Sequence, residues 1–206
     1  MIVNPAAPSN TELDQIFERL FHVSQSEQFL TSTGSGNEVP LYIQPYPIAA
    51  QDAVDKRIRA LYSRLATAGQ DILSINLLEL VHEITAEGDR LKRLLEKEPT
   101  YSRAKMLSTM TRWTDAKHHL VPAIKKKLNA SNWDVTLIYG CGSVFPFLRT
   151  HNILETLQAD MDKRPIVFFF PGEYSHREAS GSELRLFSRL SHKGYYRAFN
   201  LDHYHI

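Results

Sequence analysis

Residues 140–143 (Gly-Cys-Gly-Ser) could hold a ligand above the end of a β-strand. They follow the apolar run Val135–Tyr139, and the glycines permit a tight backbone path. Amide groups at the start of a following helix can bind an anion such as a phosphate, and the Ser143 hydroxyl could add a contact. The same residues also suit a structural corner in which Ser143 caps a helix that begins at Val144. The sequence leaves both interpretations open.

This turn lacks the features that define a known phosphate-binding motif. The lysine of a P-loop and the third glycine of a dinucleotide fingerprint are both absent. Cys141 lies between Gly140 and Gly142, but no base is specified near it. A small buried side chain is therefore a better interpretation of Cys141 than a nucleophile.

Glu173 is the second candidate for chemistry. It lies in residues 170–174 (Phe-Pro-Gly-Glu-Tyr), directly after the apolar run 166–170. In a parallel sheet, Glu173 and the Gly140 turn would share the carboxyl edge, where open α/β sheets usually bind ligands. Glu173 would then serve as an acid, a base or an anchor for a partner. The structural alternative is a Pro-Gly turn with a solvated carboxylate, and no second carboxylate accompanies Glu173 to support hydrolysis.

Basic residues form a third candidate set. Residues 1–99 hold 9 basic and 14 acidic side chains, whereas residues 100–206 hold 15 basic and 9 acidic ones. Such asymmetry marks a face for nucleic acid or an acidic partner, or a dipolar surface with no specific use. The candidates for nucleic-acid contact are Lys125, Lys126, Lys127, Arg185 and Arg189.

Neither sequence-specific DNA readout nor a metal site is indicated. Arg185 and Arg189 would share a face if residues 184–190 were helical. A solvated helix face is the preferred explanation of the basic residues. No recognition-helix or zinc-finger pattern is present. His118 and His119 are adjacent, so they form no i, i+4 pair of ligands. Since H-E-x-x-H and C-x-x-C patterns are absent, we expect no metal and no cofactor.

Hydrophobic spacing predicts the elements that must position these residues. Apolar residues at helical intervals indicate helices at about 10–22, 54–69, 80–95, 101–128 and 144–158, and a short helix at 184–190. Apolar runs and alternation indicate strands at about 41–46, 71–77, 135–139, 166–170 and 195–201. Pro40, Pro45 and Pro47 push the first strand toward a sheet edge, and Pro122 should kink or split the long helix.

The order of these elements predicts the fold class. Continuous apolar strands are typical of a parallel sheet covered by helices on both faces. We therefore expect an α/β protein, a three-layer sandwich with a mostly parallel central sheet and a helical insertion. A chain of 206 residues suits a single α/β domain over 1–206, with the helical elaboration at about 78–130.

Composition narrows the class of protein. Apolar and charged fractions of 43% and 23% are ordinary for a globular chain and argue against wholesale disorder. The apolar runs are too short to span a bilayer, and the N-terminus lacks the pattern of a signal peptide. Cys141 is the single cysteine, which excludes an internal disulfide and suits a reducing compartment. We expect a cytoplasmic protein without membrane association.

Four segments of the chain form a recognisable set when taken in order: residues 34–40, 137–149, 167–174, and 184–190 continued by 195–199. Together they resemble the BrxB family. The likeness runs from about residue 10 to residue 201, and residues 78–130 carry no matching motif. BrxB proteins are small components of bacterial bacteriophage-exclusion (BREX) defence systems.

The resemblance implies a role in defence against phage, beside a methyltransferase, a large ATPase and the alkaline-phosphatase-like protein PglZ. It implies no catalytic residues and therefore no enzyme activity. A PglZ-like protein and other BREX components are the expected partners, with at most weak or indirect DNA contact. Two hypotheses follow: a non-catalytic assembly or adaptor component, and a nucleotide- or nucleic-acid-binding protein or enzyme that uses residues 140–143 and Glu173.

Overall fold

The computed structural model describes residues 8–31, 39–160, 164–177 and 181–204, which contain both helices and strands. The helices are α1 (Asn10–Gln25), α2 (Glu27–Leu30), α3 (Gln51–Thr67), α4 (Leu77–Ala86), α5 (Arg90–Lys97), α6 (Arg103–Trp113), α7 (Val121–Ala130) and α8 (Thr150–Leu157). The strands are β1 (Leu41–Tyr46), β2 (Ile72–Asn76), β3 (Val135–Tyr139), β4 (Ile166–Arg177), β5 (Gly181–Leu186), β6 (Leu190–Gly194) and β7 (Phe199–Asn200). Most of the first family-like segment, 34–40, lies outside the described residues.

The sheet is mixed. Strands β2, β3, β4, β1 and β7 lie in that order, and each pair of neighbours is parallel. Residues 166–171 of β4 pair with β1, whereas residues 172–177 pair with β5, and the β4–β5 and β5–β6 pairs are antiparallel. The predicted α/β class is confirmed. The prediction of a mostly parallel sheet is met only in part, because an antiparallel hairpin replaces the predicted turn and helix after residue 170.

Alternate side chains of β4 enter two hydrophobic clusters on opposite faces of the sheet. Ile166, Phe168 and Phe170 belong to the cluster that includes side chains of α4, α7 and α8. Val167 and Phe169 belong to the cluster that includes side chains of α1 and α3. All five are at most 2% exposed, as expected of a strand with helices on both faces. The arrangement is therefore three-layered.

Local signals account for several helix ends. Ser9 and Glu12 form a capping box: the Ser9 hydroxyl accepts from the Glu12 amide at 3.2 Å, and the Glu12 carboxylate accepts from the Ser9 amide at 2.7 Å. Helix α3 ends at Thr67, and Gly69 follows in a left-handed conformation with φ 89°. Both helix ends are therefore set by residues that lie next to them in the sequence.

Helices α4 to α7 lie between β2 and β3, as the predicted helical insertion required. The long helix is split, but the break lies at Thr114 and Asp115 rather than at Pro122 as predicted. After α6 the chain bends at Thr114 and Asp115 into the π-helical turn Ala116–Leu120. Pro122 then lies in the first turn of α7, where the missing N–H costs no helical hydrogen bond. Within the described ranges, no helix is both long and apolar enough to cross a membrane.

Strand β1 is not an edge strand, contrary to the prediction from its prolines. It lies between β4 and β7. The pairing with β7 covers only Tyr42 and Ile43, so it ends before Pro45. A proline is tolerated there because the ladder on that side has already stopped.

Two predicted helices are also corrected. The helix expected from Val144 begins only at Thr150, because a residue that precedes proline, here Phe145, is disfavoured in the α region. Residues 184–190 are not a helix: Leu184 and Leu186 are buried and alternate with more exposed neighbours in β5, which is a period of two. The predicted last strand shrinks to Phe199–Asn200.

Candidate functional site

Three of the four family-like segments meet at the carboxyl edge of β3 and β4. A Cβ atom added at Gly142 would lie 3.0 Å from Pro171 Cγ and 3.0 Å from Phe187 Cε1. Gly142, Pro171 and Phe187 come from segments 137–149, 167–174 and 184–190. The parallel pairing of β3 and β4 brings the first two segments together, and the hairpin supplies the third.

The glycines of the 140–143 turn make room for protein groups. Gly140 has φ 82°, and a Cβ there would lie 2.9 Å from Asn76 Oδ1. That oxygen caps α4 by accepting from the Leu78 amide at 2.9 Å. Gly140 therefore lets the end of β3 pass close to the start of α4, and Gly142 leaves space for the Phe187 ring.

Ser143 caps no helix, so the predicted capping role is wrong. Its side chain is exposed, and its amide donates to the Gly140 carbonyl at 3.1 Å. The Phe145 amide donates to the Gly142 carbonyl at 3.3 Å, so these two amides are used inside the turn. Cys141 is 1% exposed, and burial raises the pKa of its thiol to about 12. Cys141 is thus a buried, unreactive side chain, as predicted.

Phe187 closes the corner. Together with Ser188 it lies in the turn between β5 and β6 with positive φ (55° and 57°), which is uncommon for a bulky residue. Its amide donates to the Pro171 carbonyl at 2.8 Å, and its ring meets Phe145 edge-on with centroids 5.9 Å apart. Sequence reasoning missed this residue, because the left-handed turn depends on contacts with distant segments.

A partly exposed apolar and cationic surface lies at this closed corner. The Arg149 guanidinium lies 4.7 Å from the centre of the Phe145 ring. Leu190, three residues after Phe187 in the same hairpin, is 40% exposed. We call Phe145, Arg149, Phe187 and Leu190 the corner surface. Aromatic and arginine side chains of this kind are enriched where proteins bind one another.

Glu173 lies in a strand rather than in the predicted Pro-Gly turn. It is directly opposite Arg185 in the β4–β5 pair, and its Oε2 lies 3.4 Å from Arg185 Nη1. Arg185 also contacts Glu183 at 3.2 Å, and Glu183 accepts from the Ser191 hydroxyl at 2.6 Å. Hydrogen bonds from Ser191 and Arg185 lower the pKa of Glu183. Glu173 is thus part of a surface network in which one arginine contacts two carboxylates.

The candidates for nucleic-acid contact are distributed over α7 and the hairpin. Lys127 pairs with Glu83 at 2.9 Å, while Lys126 is exposed. Lys125, Lys126 and Lys127 are consecutive, so a helix directs them to different sides. Arg185 is in β5 and Arg189 in the following turn, so the helix face predicted for that pair does not exist. These cations form no single helical stripe.

A contact between Ser182 and His176 is structural. Ser182 is buried, and its hydroxyl donates to the Tyr196 carbonyl at 2.6 Å. His176 Nδ1 lies 2.9 Å from the Ser182 hydroxyl oxygen. Because the hydroxyl proton is already donated to Tyr196, the histidine must be the donor in this contact, and it cannot accept the serine proton. Among the described residues, no three His, Cys, Asp or Glu side chains are arranged to hold a metal ion.

Two stacked histidines connect α8 to the hairpin. His151 and His192 have ring centroids 3.3 Å apart and planes within 10°. Burial, together with His192 and Arg149, lowers the pKa of His151 from 6.5 to about 4. The unfolded chain therefore binds a proton at His151 more readily than the folded protein does. As a result, stability is lost as the pH falls below about 6.5, and the loss levels off below about 4.

We expect acidification from pH 7.5 to pH 5 to remove about 1 kcal/mol of stability through His151, a value reduced for its partial exposure. Urea unfolding of the wild type and of His151→Asn at both pH values measures the difference. The variant should lose less stability on acidification than the wild type. An identical pH dependence in both proteins would show that His151 contributes nothing.

Comparison with known proteins identifies a family. The family described as BREX protein BrxB matches residues 73–201, which include the corner, the hairpin and the whole of the helical insertion that carries no motif. BREX protein BrxB of Bacillus cereus (strain H3081.97) is 31% identical over 196 residues, covering 93% of this chain and 96% of the relative. BREX protein BrxB of Escherichia coli O9:H4 (strain HS) is 25% identical over 189 residues, covering 92% and 89%. No solved structure matches the chain significantly. The matches extend over most of the chain, and the chain belongs to the BrxB family.

Proposed function

We propose that the protein is a non-catalytic assembly component of a BREX system, which binds a partner protein through the corner surface. Membership of the BrxB family makes it a BREX component. The observation that carries the proposal is the convergence of three family-like segments at one corner, where two of them supply the partly exposed corner surface. Segments that are far apart in sequence meet there around a closed corner.

The filled corner favours assembly over ligand chemistry. Phe187 occupies the space beside Gly142, and neither of the two cavities described, of about 720 and 370 Å³, is lined by residues 140–149. Glu173 is committed to Arg185, and the Cys141 thiol is buried. A nucleotide-binding protein would need an accessible site with free donors at this edge.

The partner that we propose is the PglZ-like protein implied by the family resemblance. The exposed Leu190 and the partly buried rings of Phe145 and Phe187 would provide the apolar centre of the interface. Arg149 would pair with an acidic or carbonyl group on the partner. The surface contains no carboxylate of its own, so an acidic counterpart is the better match.

Replacing Leu190 by aspartate, or Arg149 by glutamate, should reduce retention of the PglZ-like protein by about tenfold or more. The reason is that each change places a carboxylate on an apolar or cationic interface. Co-purification of the tagged protein from cells that express the complete BREX system, at low salt, measures retention.

The matched control is Leu95→Asp, because Leu95 is 58% exposed on α5 and lies outside the corner surface. Thermal unfolding of each variant verifies that it is folded. The proposal fails if the wild type retains no BREX component, or if the corner variants retain as much partner as the control. Stabilisation by a nucleotide that disappears in Gly142→Val would instead favour the ligand-binding hypothesis.

A further inference from the structure

Helix α6 is only weakly packed against the rest of the described chain. Of its 11 residues, Thr109 alone is buried. Met110 is partly buried against the core, and Leu107 is 39% exposed. Isolated helices shorter than about 12–15 residues are marginal in water, so α6 gains little from its own length. One face of this helix remains open.

A cavity of about 720 Å³ lies along that open face, where α6 meets the π-helical turn Ala116–Leu120. On α6 its lining residues recur three and four apart, so they share one side of the helix. Ala104 and Leu107 supply apolar surface. Arg112, Asp115, His118 and His119 supply the polar end of the cavity.

The charge of this region is unbalanced. Helix α6 carries Arg103, Lys105 and Arg112 and no acidic residue, and Lys117 follows in the π-helical turn. Within the residues that the structure describes, none of these four side chains forms an ion pair or a side-chain hydrogen bond. The nearby carboxylate of Asp115 is already engaged by His118, with Oδ1 and Nδ1 2.7 Å apart. Unpaired cations beside an exposed leucine are complementary to a ligand that is both acidic and apolar.

We propose that this face of α6 binds an acidic segment of a partner protein. An apolar side chain of that segment would pack on Ala104 and Leu107, while its carboxylates would pair with Arg112 and the neighbouring cations. The inference rests on the proposed function in that the partner belongs to the same defence complex. The surface is separate from the corner surface and shares no residue with it.

A protein segment suits this cavity better than a nucleic-acid backbone. Phosphates would leave Leu107 and Ala104 exposed, whereas an apolar side chain of a protein segment would bury them, which is favourable. Arginine beside an apolar contact is typical of protein interfaces.

A photo-crosslinker tests the assignment. Benzoylphenylalanine is incorporated in place of Leu107, the BREX complex is isolated and irradiated, and the attached peptide is identified by mass spectrometry. We expect attachment to a segment of another BREX protein in which Asp or Glu residues flank an apolar side chain. The control position is Leu78 on α4, which is 47% exposed.

A synthetic peptide of the attached segment is then titrated against the wild-type protein. Arg112→Glu should weaken binding by about tenfold or more, and binding should weaken with increasing salt. Lys126→Glu, the same charge change at an exposed position on α7, should leave binding unchanged.

Attachment to DNA, to a second copy of the chain or to an uncharged or basic segment would overturn the inference, as would equal binding by Arg112→Glu. Absence of attachment at position 107 in an assembled complex would overturn it as well, while the proposed function would stand. Failure of the complex to assemble around the wild-type protein would refute the proposed function itself.

Discussion

Replacing Gly172 by alanine should lower the free energy of unfolding by more than about 4 kcal/mol, among the largest effects of single substitutions. At Gly172, β4 passes from the parallel sheet into the antiparallel hairpin, with φ 151°. A Cβ atom there would overlap the Arg185 carbonyl oxygen and would lie 3.0 Å from the Phe187 amide nitrogen. Both are backbone atoms, so relief would require separating β4 from β5. Chemical denaturation measures the loss.

Gly69→Ala is the matched control for this substitution. Gly69 also has a positive φ, 89°, but no atom lies within 4 Å of an added Cβ. Its replacement should therefore cost only the backbone strain of a left-handed residue, about 1 kcal/mol. Similar losses for the two variants would mean that the close approach of Arg185 does not matter.

Gly172→Ala should also affect the proposed interface, because the hairpin carries Phe187 and Leu190. If the variant remains folded at low temperature, hydrogen exchange should become faster in β5 and β6 before it does in β3. Partner retention should then fall together with protection of the hairpin. This outcome would connect the packing at one glycine to the function that we propose.

Phe168→Ala should destabilise the protein by about 3–5 kcal/mol, because it leaves a large cavity in the core. Phe168 is fully buried near the start of β4, between Ile43 of β1 and Ile138 of β3. Urea unfolding measures the loss. Tyr195→Ala serves as the control, since Tyr195 is 95% exposed and its replacement should change stability by no more than about 0.5 kcal/mol. A loss near that of the control would contradict the assignment of Phe168 to the central core.

Local sequence patterns were sufficient to predict most helices and strands outside the hairpin. The capping box at Ser9, the helical stripe of α3 and the buried run of β3 each depend on side chains within a few turns or one strand. The burial of Cys141 was also predicted, because no base is specified near this small side chain between Gly140 and Gly142. Hydrophobic burial acts on these segments in any compact arrangement, so their periodicity predicts them.

The hairpin could not be predicted in the same way. Pro171-Gly172 has the composition of a turn, yet the strand continues through it because β5 pairs with residues 172–177. Leu184, Phe187 and Leu190 recur at helical spacing, while Leu184 and Leu186 also fit a strand. Pairing with another strand decides whether such a segment becomes a helix or a strand. The energy of that pairing depends on both strands, so it cannot be read from the sequence of one segment alone.

For this protein, the sequence by itself determined the α/β class, most helices, the buried strands of the sheet and the resemblance to the BrxB family. Only the tertiary structure decided that residues 140–143 form a packed corner, with Phe187 against Gly142 and Glu173 paired with Arg185. It also left α6 with an open, cationic face. The physical reason is that the types and spacing of side chains set the preference of a segment for helix or strand and the face that it buries. Whether the space beside Gly142 is open or filled depends instead on Phe187, some 45 residues away in the chain, which only close packing of the folded protein brings there.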